Sequence, residues 1–62
     1  MYEQRFTASE GQTGFEVTEF TLTVGYLVFV GGILTKSGQS KSDNIVTFTT
    51  GLPEGKEVVI IN

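Results

Sequence analysis

Seven Val, four Ile and nine Thr make up about a third of this chain, and Ala occurs once. Branched side chains lose rotamer freedom in a helix and fit well on a pleated surface, so the balance points to strands. Eight Gly and one Pro supply the punctuation that short strands need. The expected fold class is all-β: a small antiparallel β-sandwich or barrel of about six short strands. At 62 residues the chain makes one domain, residues 1–62, with no room for a second core.

That size carries a physical problem. A chain this short buries only about 60% of the surface its unfolded form exposes, which leaves it marginally stable. It has no Cys for disulfides and no Cys or His for a structural metal site. Oligomerisation or lateral packing on a larger assembly is the remaining common remedy, although domains of this size also fold alone.

The same absences narrow the chemistry. Without His or Cys there is no Ser-His relay, thiol nucleophile or imidazole metal site, so the reading is non-enzymatic, with no catalytic residues, no cofactor and no metal. The seven carboxylates are Glu3, Glu10, Glu16, Glu19, Asp43, Glu54 and Glu57. They fall in turns or alternate with core positions, the pattern of a solvated face rather than an acid/base pair. Asp43-Asn44 could offer oxygen ligands to calcium, but the spacing of an EF-hand loop is missing. Gly31-Gly32 lacks the Lys-Ser/Thr spacing and the following helix of a phosphate loop.

A net charge of −3 argues against nucleic acid as a partner, because that affinity rests on clustered Lys and Arg. The longest apolar stretch, Tyr26 to Val30, is far short of the roughly 20 residues of a membrane helix. The N-terminus lacks the basic and apolar regions of a signal peptide. The expectation is a soluble chain made in a cytoplasm, with no membrane partner.

Along the chain, Tyr2, Phe6 and Ala8 alternate with Glu3, Arg5 and Thr7, and Ser9 to Gly14 reads as a turn. Phe15 to Glu19 reads as a half-buried strand, with Phe15 and Val17 inward and Glu16 and Glu19 outward. Phe20 breaks the phase and Leu22 and Val24 resume it, which predicts a bulge near Glu19-Phe20. Tyr26 to Val30 is apolar on both faces and ends at Gly31-Gly32, a pair suited to a primed two-residue hairpin turn before Ile33-Leu34-Thr35. Lys36 to Asn44 is polar throughout and reads as a surface loop. Ile45 to Thr50 alternates again, Gly51 to Gly55 forms a turn around Pro53, and Val58 to Ile61 is a second run apolar on both faces.

Two-sided apolar strands are covered either by the sheet's core and a neighbouring subunit or by two layers of one fold, and in so small a domain the first carries more weight. The candidate interface residues are Tyr26, Val28, Val30, Val58 and Ile60, and the candidate partner-contact loop carries Lys36, Gln39, Lys41 and Asp43. The Phe residues sit at inward phases or in two-sided runs, which favours core packing over an open stacking platform for bases or sugars.

The order of short motifs adds a family resemblance. Phe6-Thr7-Ala8 is followed by Gly11-Gln12-Thr13-Gly14-Phe15, then Leu27-Val28-Phe29-Val30-Gly31-Gly32-Ile33-Leu34, then Val46-Thr47-Phe48-Thr49-Thr50-Gly51-Leu52, Gly55 and Val58-Val59-Ile60. In that order and spacing the chain resembles the small β-sandwich module of tail fibres and other virion structural proteins of tailed bacteriophages. The resemblance covers nearly the whole chain. Gly31-Gly32 stands where that module usually has Asn-Gly, and Asp43-Asn44 stands where it usually has Asp-Tyr, in a shortened loop.

The resemblance implies a virion location after synthesis in a host cytoplasm. It also implies a homo-oligomer, with a trimer favoured, in contact with other virion proteins of capsid or tail. A free-standing copy implies an accessory or decoration module. The alternative function is a glycan- or receptor-binding β module, which asks for open aromatics beside the 36–44 loop. A third is a generic small β domain of a host protein.

Overall fold

A computed structural model describes all residues 1–62. It contains seven strands and no helix: β1 Glu3–Thr7, β2 Gln12–Glu16, β3 Leu27–Val30, β4 Ile33–Thr35, β5 Gln39–Ser42, β6 Ile45–Leu52 and β7 Glu57–Ile61. They form two antiparallel sheets, one ordered β1-β7-β3-β4 and the other β2-β6-β5. The all-β class and the small sandwich-like architecture are those the composition predicts.

The seventh strand is a correction. Gln39–Ser42 lies inside the stretch expected to be a loop, yet it pairs along β6, with Gln39 opposite Phe48 and Lys41 opposite Val46. Its residues give no apolar signal because β5 is an edge strand, held by backbone bonds rather than by burial. Asp43 and Asn44 make the two-residue turn into β6, Asp43 with a φ of 52°. Asx residues tolerate that left-handed conformation better than other non-glycine residues.

The hairpin at Gly31-Gly32 forms as expected. Both residues take positive φ, 59° and 85°, and the closing pair is Val30 opposite Ile33. Gly51 and Leu52 belong to the end of β6 instead of the following turn. The β2–β6 pairing shifts register between Gln12 and Gly14, so β6 bends where it passes Gly11.

The core lies between the sheets. Val28, Val58 and Ile60 come from the four-stranded sheet, and Phe15, Val46 and Phe48 come from the other. Ala8, Val17 and Leu22, all outside strands, close its margins. Phe6 meets Phe15 edge to face at 5.5 Å, and Phe15 meets Phe48 at 5.6 Å, an aromatic ladder that ties the layers together.

The segment expected to run as a bulged strand through Leu22 and Val24 is instead the crossover between sheets. Leu22 is buried, but Val24 is 95% exposed. Three side chains pin this segment where strand bonds are missing. Gln4 Oε1 accepts from the backbone N–H groups of Thr18 and Glu19, and Asn62 Oδ1 accepts from that of Thr23. Asn44 accepts from the Leu22 N–H and donates to the Val17 and Phe20 carbonyls.

Candidate interaction surface

Residues paired across an antiparallel ladder share a face, so the register builds the surface directly. On the outside of the four-stranded sheet one row runs Arg5, Val59, Phe29, Leu34. The next row runs Glu3, Ile61, Leu27. Five apolar side chains from three strands therefore stand together on the outer face. Leu27 is 42% exposed and Leu34 38%, Phe29 and Ile61 are half-buried, and Val59 is covered by its neighbours.

A cluster of charge lines the β1 and β7 side of this patch. Arg5 Nε lies 2.7 Å from Glu3 Oε2, and Arg5 Nη1 donates to Glu57 Oε2 at 3.1 Å. The hydrogen bond to Glu57 and the charge of Glu3 raise the Arg5 pKa further, so this cation keeps its proton at any working pH. Exposed pairs of this kind contribute little to stability. Their effect is to frame the β1 and β7 side of the apolar rows.

The other sheet provides an internal contrast. The register places Gly14, Glu16, Ser40, Ser42, Ile45 and Thr47 on its outer face. Ile45 is the one large apolar side chain there, among hydroxyls and a carboxylate. A domain with one solvated face and one apolar face is built like a half-open layer, which is how surfaces that meet other proteins differ from ordinary ones.

The expected interface residues mostly lie elsewhere. Val28, Val58 and Ile60 are fully buried in the chain's own core, and Val30 packs against that core. Tyr26 is half-buried and donates its hydroxyl hydrogen to Gln39 Oε1 at 2.8 Å. The surface is formed by the opposite parity of the same two strands. An apolar run shows that both faces are apolar but not which is inner. The deciding signal is Glu57, which shares a face with Val59 and Ile61 and marks that face as outer.

The expected contact loop also resolves differently. Gln39 and Lys41 belong to β5, share a face with Phe48 and Val46, and are half-buried at the sheet edge. Lys36 and Asp43 are exposed. Asn44 spends its side-chain oxygen and nitrogen on the crossover, so the Asp43-Asn44 pair is turn chemistry, not a set of free cation ligands.

No family model, curated protein or solved structure matches this chain. The structure holds no group of three metal-type side chains and no cavity able to enclose a ligand. What the arrangement offers chemically is a flat, partly apolar sheet face with charge on its margin.

Proposed function

We propose that this chain is a non-enzymatic structural module that works by packing its four-stranded sheet sideways against a neighbouring protein in a larger assembly. The assembly its motif order points to is the virion of a tailed bacteriophage, where it would serve as an accessory or decoration part of capsid or tail. The observation that carries the reading is the contrast between the two outer faces: Leu27, Phe29, Leu34, Val59 and Ile61 on one, and hydroxyls, Glu16 and the single large apolar Ile45 on the other. A neighbour that covers the first face adds apolar burial to a domain too small to have much of its own. The glycan-binding reading has less to rest on, since Phe6, Phe15 and Phe48 are occupied with one another between the sheets.

The test is incorporation. Particles assembled with this chain are purified and their proteins separated by electrophoresis, for the unaltered chain and for Leu27→Glu and Thr47→Glu. The reading expects the chain on the particle, its loss with Leu27→Glu, and its retention with Thr47→Glu on the other sheet. A chain absent from purified particles, or one that Leu27→Glu leaves in place, contradicts it.

A further inference from the structure

We propose that the outer face of the four-stranded sheet pairs with the same face of a second copy of this chain, about a two-fold axis running along the strands. The inference rests on the docking reading above and names its partner. Its basis is the placement of charge at the two ends of one ladder row. Glu3 on β1 stands opposite Ile61, and Ile61 opposite Leu27. Continuing the β3–β4 register by one residue past Thr35 sets Lys36 beside Leu27, on the face of Leu34. The row is thus anionic, apolar, apolar, cationic. It reads Glu3, Ile61, Leu27, Lys36.

A two-fold axis along the strands exchanges the two sides of the sheet and leaves each row at its own level. It therefore lays Glu3 of one copy over Lys36 of the other, and Lys36 over Glu3. The apolar pairs Ile61 and Leu27 meet between them. The neighbouring row places Arg5 over Leu34, whose stem can cover apolar surface while its charged head stays with Glu3 and Glu57. Around Arg5 the three charges sum to −1, opposite in sign to Lys36 at the other end of the row. The face is complementary to itself in this orientation. Turned end for end, the second copy would set Glu3 over Arg5 but leave Lys36 over the apolar Leu34, so only the axis along the strands pairs the charges at both ends of the row.

Sheets stack about 10 Å apart, a gap that Glu and Lys side chains bridge from opposite layers. The interaction is isologous and closes at two copies, so it makes a discrete dimer and not an open fibre. Five apolar side chains per copy are fewer than the roughly 20–30 residues a side of standard complexes. The dimer is accordingly weak and favoured by high local concentration.

Sedimentation velocity of the full chain over a range of concentrations tests this directly, with circular dichroism melting to confirm that each variant is folded. The expected result is a monomer–dimer equilibrium. Lys36→Glu alone and Glu3→Lys alone each weaken it by about tenfold, and the two together restore it, since like charges then become opposite again. A three-copy mass, a monomer at every concentration, or a combined variant as weak as the single ones overturns the two-fold pairing. If the chain is monomeric but Leu27→Glu still removes it from particles, the docking reading stands and only the identity of the partner falls. If neither association nor incorporation depends on this face, both fall.

Discussion

Asn44 shows how much of this fold hangs on single side chains. Its amide group makes three bonds to the crossover segment, and its backbone carbonyl accepts a fourth from the Val17 N–H at 2.7 Å. Removing the side chain leaves the Leu22 N–H and two carbonyls without their partners in a part-buried place. At about 0.5–1.5 kcal/mol for each net bond, Asn44→Ala should cost roughly 2–3 kcal/mol. For a domain this small that lowers Tm by about 10 °C or more, which thermal melting followed by circular dichroism will register. Gly51 is the second such residue. A Cβ there would sit 2.6 Å from the Gly11 carbonyl oxygen, a backbone atom that cannot swing aside. Gly51→Ala should destabilise by about 1–3 kcal/mol in urea unfolding, whereas Gly14→Ala, with open space around its Cβ, should cost far less. Neither role was legible in the sequence. Asn44 read as the end of a polar surface loop, and its reach to Val17 and Phe20 spans a connection whose path depends on the whole fold.

Among the elements, legibility followed burial. β6 and the hairpin at Gly31-Gly32 could be read from alternation and turn chemistry because each has one covered face or a demanding φ. β5 could not, since Gln39 to Ser42 carries no apolar residue and pairing leaves no mark on composition. Its Lys41, which shares a face with the core residue Val46, is the inward-facing edge charge that discourages strand-to-strand aggregation. For β3 and β7 the strands were evident but the inner face was not. That distinction has a direct consequence for two adjacent residues. Val28 is buried, so Val28→Asp places an unpaired carboxylate in the core and should unfold a domain whose whole stability rarely exceeds about 3–5 kcal/mol. Leu27 faces outward, and Leu27→Glu should shift stability by no more than about 1 kcal/mol. Chemical denaturation of the two variants side by side checks the parity. A larger loss for Leu27→Glu than for Val28→Asp would mean the sheet is turned the other way.

Taken whole, the molecule is a thin two-layer body, 27 × 20 × 18 Å, with its ten buried residues all apolar. The central claim is that the outer face of the four-stranded sheet is where this body meets a neighbour, and the direct measurement is a residue-resolved one. Methyl and backbone NMR shifts are followed as the chain is concentrated. The account predicts movement at Leu27, Leu34, Val59 and Ile61, with Ile45 and Thr47 on the opposite face unmoved. Shifts centred on Ile45, Ser40 and Thr47, with the four-stranded face unchanged, would contradict it.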